Sequence, residues 1–224
     1  MVAYELSRRA SVKDVIEALG PPHAVVGRLL VNGEERGFSV LLKPGDRVEV
    51  FPEHVPVDVT RPTPLKPAPL PGLRFLADAN VGRLARMMRM LGLDTAYDRS
   101  LSDPELAELA QREKRIVVSK DRNLLKRSSI CHAHLVRCDN PQDQLRNLAV
   151  HFGLTPPFAA FSRCIACNAL LQPVNKQDVL HLLEPLTRIH YHVFRKCPEC
   201  GRVFWQGSHF ERMHELLRDL GLDG

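Results

Sequence analysis

The 224-residue sequence predicts a mixed α/β chain built from three modules. Three observations point to it: strands alternate with helices over residues 73–157, a proline-rich break precedes them, and two Cys-x-x-Cys pairs follow. Such alternation implies a parallel sheet with helices on its faces. From Pro56 to Pro71 six prolines fall in sixteen residues, which forbids helix and central strand and predicts an extended spacer. The expected divisions are therefore 1–58, a linker at 59–72, a core at 73–157, and a cysteine-bearing module at 158–224. Composition removes other classes. A hydrophobic share of 44% with 25% charged residues is globular rather than disordered. No run approaches 18 apolar residues, and MVAYELSRRASVKD has no apolar signal region. A cytoplasmic address with no membrane contact is expected.

In the first module, Ser11 caps a helix whose apolar positions are Val12, Val15, Ile16 and Leu19, closed by Gly20-Pro21. VVGRLLVNGEERGFSVLL offers two strands joined by Asn32-Gly33, a hairpin signal. Lys43-Pro44-Gly45-Asp46 then turns the chain into a last strand, RVEVF. This order resembles the β-grasp of ubiquitin-like sulfur-carrier proteins. The terminal Gly-Gly of those proteins is lacking, which counts against a sulfur-transfer role. With only Val2–Leu6 ahead of the helix, one strand of the opening hairpin is missing, through either a mis-set start codon or a truncated fold.

In the core, LRFLA is a short strand and Asn80–Leu91 a helix burying Leu84, Met87, Met88 and Leu91. Leu101–Arg112 is a second helix, RIVVS and HAHLVRC are strands, and Gln142–Phe152 is a further helix. In such a sheet chemistry gathers beyond the carboxyl ends of the strands. Asp78 follows LRFLA directly, Asp121 comes two residues after RIVVS, and Asp103 opens the helix between them. Three acids at one edge repel unless a cation neutralises them. A hard ion, Mg²⁺ or Mn²⁺, suits carboxylates and polarises a phosphodiester. Helix capping by Asp78 and Asp103 and a plain loop position for Asp121 compete with that reading, and spacing alone leaves the two even.

LADANVGRLARMMRMLGLDTAYD followed by SDPELAELAQREKRIVVSKDRNLL resembles the Mut-seven C-terminal RNase family, a PIN-like nuclease fold. The likeness runs over roughly residues 73–215, and the first module resembles one found ahead of this RNase domain in bacterial members. The resemblance implies a PIN-like three-layer parallel-sheet core and metal-dependent RNA cleavage through Asp78, Asp103 and Asp121. It also implies a fourth acid, Asp94 or Asp98, of which Asp94 better fits the GLDT element. The alternative is a catalytically silent RNA-binding adaptor whose β-grasp module recruits a protein partner.

Charge agrees with a polyanionic partner. Residues 1–58 carry a net −2, the linker +2, residues 73–160 +4, and 161–224 +1. The surplus lies in the core. Arg83, Arg86 and Arg89 recur every third residue, and Lys120 and Arg122 flank Asp121. These five are candidate contacts to RNA phosphates, against the plain alternative of a solvated face. Aromatic residues are scarce here, so base-specific readout is not expected.

Cys164-Ile-Ala-Cys167 and Cys197-Pro-Glu-Cys200 predict a closed tetrahedral Zn²⁺ site of structural type, a zinc ribbon. The 29 intervening residues require a longer hairpin or an inserted helix. Trp205 and His209 in GRVFWQGSHF are expected to pack the ribbon rather than to contact RNA. Cys131, His132, His134 and Cys138 alternate along a strand, so burial is expected there rather than a second metal site.

Overall fold

The computed structural model describes residues 2–6 and 8–207 and, beyond them, Phe210, Glu211, Glu215, Arg218 and Gly221. His209 and most of the expected C-terminal helix lie outside the described residues.

In the N-terminal module, α1 (Val12–Ala18) begins at Ser11 with a reciprocal Ser11–Asp14 capping box. It buries Val12, Val15 and Ile16 on a three-stranded antiparallel sheet. The strands are β1 (Val26–Val31), β2 (Glu34–Glu35) and β3 (Val48–Pro52), in the order β2-β1-β3. Asn32 and Gly33 both take positive φ at the β1–β2 turn, which is what that dipeptide is for. Val2–Leu6 form no strand.

The core holds β4 (Phe75–Ala77), β5 (Thr95–Tyr97), β6 (Ile116–Ser119) and β7 (Ala133–Leu135), all parallel, in the order β5-β4-β6-β7. Between them run α2 (Gly82–Met90), α3 (Asp103–Glu113) and the short α4 (Arg122–Leu125), and α5 (Pro141–Phe152) follows β7. Alternate strand residues feed the two faces. Phe75, Ala77, Ile116 and Val118 pack with Leu84 and Met88 of α2 and Leu145 and Leu148 of α5. Leu76, Val117 and Ala133 pack with Leu106 and Ala110 of α3 and Leu124 and Leu125 of α4. This is the expected three-layer sheet. The chain leaves β4 for one neighbour, β5, and then crosses to the other, β6, so the order reverses between β4 and β6. Their carboxyl ends therefore flank the crevice where α/β sheets bind ligands.

The linker departs from the extended spacer expected. Val59 and Leu70 are buried in the main core and Leu65 in the N-terminal one, while Val57 N donates to His151 O at 2.7 Å. Apolar residues interleaved with prolines make it a strap, because proline lowers the entropy lost on fixing it. The strap also carries a buried ion pair. Lys66 meets the Glu53 carboxylate at the end of β3, with both side chains under 10% exposed, and donates to Ala24 O at 2.9 Å. His151 of α5 approaches the other Glu53 oxygen at 3.4 Å. Three segments are thus tied at one buried carboxylate.

Removing one member of such a pair strands the other charge, so Glu53→Ala should cost about 3–5 kcal/mol. Thermal melting checks this, and Glu53→Ala with Lys66→Met should recover part of the loss. A neighbour adds acid sensitivity. Burial, reinforced by His151, pushes His134 down to about 3. The unfolded chain then binds a proton below about pH 6.5 that the folded chain refuses, so stability falls as pH drops from there towards 3.

The C-terminal module is a second antiparallel sheet, β10-β9-β8, of β8 (Gln172–Val174), β9 (Phe194–Lys196) and β10 (Val203–Trp205). The long cysteine spacing is filled by α6 (Lys176–Val179) and α7 (Pro185–His190). Trp205 packs within this module, its ring centroid 6.3 Å from Tyr191 and 6.4 Å from Phe194.

Candidate functional site

Asp78 and Asp121 sit where β4 and β6 end, and Ser119 joins them. The Ser119 hydroxyl donates to Asp78 Oδ2 at 2.6 Å and accepts from Asp121 N at 2.8 Å. Asn80 Nδ2 donates to the same Asp78 oxygen at 2.6 Å, and Lys120 N donates back to Asn80 Oδ1 at 3.2 Å. Two loops are therefore fastened across the crevice by three short polar side chains. Ser119 is fully buried at the end of an otherwise apolar strand. Such a polar group persists there only because it is hydrogen-bonded.

Both acids also do the local work that capping predicts. Asp78 accepts from Ala79 N at 2.6 Å, opening a single 3₁₀ turn (Ala79–Val81) ahead of α2. Asp121 Oδ1 accepts from Asn123 N at 2.7 Å at the head of α4, which leaves Oδ2 without a partner among the described residues. Capping thus accounts for one oxygen of each carboxylate.

Asp103 is exposed at the first residue of α3, on the same edge, with the Ser102–Glu105 capping box beside it. Among the described residues the ligand atoms of these acids do not close to within 4.8 Å as a group of three. Asp94 lies elsewhere. It precedes β5, and its carbonyl accepts from Phe75 N at the opposite end of the sheet. Arg115 Nη1 reaches Asp94 Oδ1 at 2.6 Å, Asn168 donates to it at 2.9 Å, and Arg74 and Arg163 flank Oδ2. Partial burial works against ionisation, but the Arg115 and Asn168 hydrogen bonds outweigh it and hold the carboxyl below its ordinary value. The expectation of Asp94 as fourth acid is corrected by its place: it ties the ribbon to the amino edge. Asp98, directly after β5, is the acid at the carboxyl edge, where it accepts from Ser100.

The basic stripe divides. Arg83 and Arg86 are exposed on α2 and line a cleft of about 440 Å³ with Asn80, Lys120, Tyr97 and Gln144. Lys120 is held over it by Asp139 at 2.7 Å. A Cβ at Gly82 would lie 2.5 Å from the Tyr97 hydroxyl, so glycine lets this wall close. Arg89 is a correction. It is 2% exposed, donates to Thr95 O at 2.8 Å, and reaches the Ile165 and Ala166 carbonyls at 3.1 and 2.8 Å. It clamps the first cysteine turn to the core and cannot meet a phosphate. Arg122 points the other way, towards Gly20 of the N-terminal module.

The four cysteines converge, all sulfurs within 4.8 Å of one another. Cys164 lies 3.6 Å from Cys200 and Cys167 3.3 Å from Cys197, close to the roughly 3.8 Å of sulfurs around a tetrahedral zinc. The two turns match: Asn168 and Gly201, directly after each pair, both take positive φ, and their amides donate back to Cys164 O and Cys197 O. Burial and the neighbouring sulfurs push the Cys167 thiol up to about 12. At Cys197 burial is outweighed by amide donors from Cys200 and Glu199, which bring it to about 7. This cluster can hold zinc. Cys131, His132, His134 and Cys138 do not converge, and both histidines are buried.

Sequence reasoning missed Ser119, Asn80, Tyr97 and Gln144 as site-building residues. Asn80 beside Asp78 and a serine ending the apolar run IVVS, both within the segments that carry the family resemblance, were the available signals.

No described helix is long and apolar enough to cross a membrane. No curated protein and no solved structure matches the chain. The family model for the Mut7-C ubiquitin domain matches residues 1–58, and that for the Mut7-C RNAse domain matches residues 73–217. With its acids at the switch point, its basic cleft and its cysteine ribbon, the chain belongs to the Mut7-C RNAse domain family, preceded by that family's ubiquitin-like module.

Proposed function

We propose that this chain is a metal-dependent ribonuclease whose reaction centre is the crevice between β4 and β6. One observation carries the reading. Asp78 and Asp121, joined through Ser119, stand beside a cleft lined by Arg83, Arg86 and Lys120. The donor set fits Mg²⁺ or Mn²⁺, which take hard oxygen ligands and are commonly held by one or two carboxylates with waters and substrate phosphate. Asp78 and Asp121 would hold the ion, with Asp103 and Asp98 at the same edge. Such an ion, when bound, polarises the phosphodiester and offsets charge on the leaving oxygen.

The chain's own groups do the rest. Ser119 and Asn80 each donate a hydrogen bond to Asp78, which fixes its orientation and keeps it an acceptor. Arg83 and Arg86 place the backbone by charge, without reading sequence. Zn²⁺ at Cys164, Cys167, Cys197 and Cys200 is a structural ion, because four sulfurs leave no open position. The ubiquitin-like module is a further candidate surface for a protein partner.

Total RNA incubated with Mg²⁺ or Mn²⁺ should be cleaved, with mapped fragment ends giving polarity. That the three acids do not close to within 4.8 Å as a group favours the second reading, an RNA-binding adaptor. Binding without turnover under any divalent ion would establish that instead.

A further inference from the structure

The catalytic cleft does not end at the core. Gln144, buried at the start of α5, lines it and also lines a second cavity of about 390 Å³. The loop between the two is one peptide unit wide. Asp139 faces the first cavity and Cys138 the second, and Gln144 Nε2 donates to their carbonyls at 3.2 and 2.8 Å.

The second cavity has two owners. One wall is β7 and α5 of the core, and the other is Val25 with Pro52, Glu53 and Val55 of the N-terminal module. Its chemistry is graded. Arg137 and Arg146 stand exposed at the rim, the latter also pairing with Asp143. Val25, Val55 and Val150 form apolar wall, while Asn147 and the adjoining imidazoles of His134 and His151, centroids 4.7 Å apart and tilted by 58°, supply polar floor. Burial keeps His134 neutral, so it offers hydrogen bonds rather than charge. Cations at the mouth, apolar walls and a polar floor, in which the Glu53 carboxylate is already engaged by Lys66 and His151, suit a phosphate, a base face and a base edge. The volume lies within the range of small-ligand sites. A metal is not indicated, since these groups do not converge as ligands.

We infer that the cavity is a second nucleotide subsite: a single-stranded RNA in the catalytic cleft crosses the Cys138–Asp139 loop and lodges a flanking nucleotide at the junction of the two domains. The inference rests on the ribonuclease reading and gives the ubiquitin-like module a part in holding substrate.

The test uses the full zinc-loaded chain and fluorescein-labelled oligouridylates of two to ten nucleotides, without added Mg²⁺ or Mn²⁺. Val55 and Arg137 are exposed, so Val55→Glu and Arg137→Ala leave the fold intact, as melting would verify. Affinity of the wild type should rise with length until both cavities are filled. Each variant should lose about 5–10-fold on the long oligomers and nothing on the dinucleotide. Arg137→Ala should also lower the slope of log K against log salt by about 0.7, the value for one phosphate contact on a single strand. In turnover on long substrates KM should rise with kcat unchanged. Variants matching the wild type on long oligomers in affinity, salt slope and KM, while the wild type still cleaves RNA, would overturn the subsite alone. A wild type that neither binds nor cleaves RNA would overturn the ribonuclease reading and this inference with it.

Discussion

Asp78→Asn should lower kcat for RNA cleavage by about 10²–10³-fold while leaving KM nearly unchanged and lowering the melting temperature only modestly. The substitution keeps the shape of the side chain and its cap, since asparagine serves as an N-cap as well as aspartate does. What it removes is charge and one acceptor. Asp78 Oδ2 accepts from both Ser119 and Asn80. An amide nitrogen in that place faces two donors, and the uncharged amide oxygen holds a divalent cation less strongly than a carboxylate does. Loss of a group acting mainly on the transition state appears in kcat, and single electrostatic contacts of this kind are worth about 10²–10³. Asp94→Asn is the informative contrast. Its carboxylate serves Arg115, Arg74 and Arg163 at the far end of the sheet, so it should lower the melting temperature and spare kcat. Steady-state kinetics and melting on both variants separate the roles. Full activity in Asp78→Asn would sink the catalytic assignment.

That contrast also marks how far the sequence could be read. Asp78 and Asp121 were legible because each stands within two residues of the end of a short β-rich run, and the topology of a parallel sheet turns that position into a place on an edge. Asp94 was misplaced because GLDT sits before a strand rather than after one, and only the strand direction decides which edge an acid occupies. Arg89 failed for a different reason. Periodicity puts Arg83, Arg86 and Arg89 at steps of 100° multiples that drift around the helix, so the third residue turns inward under the ribbon. The distance between Arg89 and the Ile165 carbonyl in sequence hides that contact from any local pattern. The linker was misread likewise: proline content specified an extended backbone, but Val59, Leu65 and Leu70 among the prolines were the signal for a packed strap. The cysteine site was the most legible feature, since two short turns carry their own geometry with them.

Removing zinc should unfold the ribbon and spare the sheet. Among the described residues the buried apolar groups of the ribbon are few: Leu171 beside two of the cysteines, and Val179, Leu183 and Phe194 in a separate cluster. Each large buried side chain contributes about 1.5–3 kcal/mol, which does not offset about 1–2 kcal/mol per ordered residue of backbone entropy. A structural zinc contributes about 10–16 kcal/mol in small metal-held domains, which are unfolded without it. The core needs no such help, because Phe75, Leu84, Met88, Ile116 and Leu148 are fully buried on one face alone. Cys197→Ser, or a strong chelator, should therefore abolish zinc binding at the four cysteines and expose residues 158–207 to protease, with the 73–157 core resistant. Unfolding also withdraws the Ile165 and Ala166 carbonyls that Arg89 uses and the Asn168 amide that Asp94 uses. Those two buried or half-buried charges lose partners, so the melting temperature of the core should drop as well, though by less than in a chain whose sheet depended on the metal. Metal analysis and limited proteolysis decide the matter. A Cys197→Ser chain that keeps both its zinc and its protease resistance would remove the cysteines from the site.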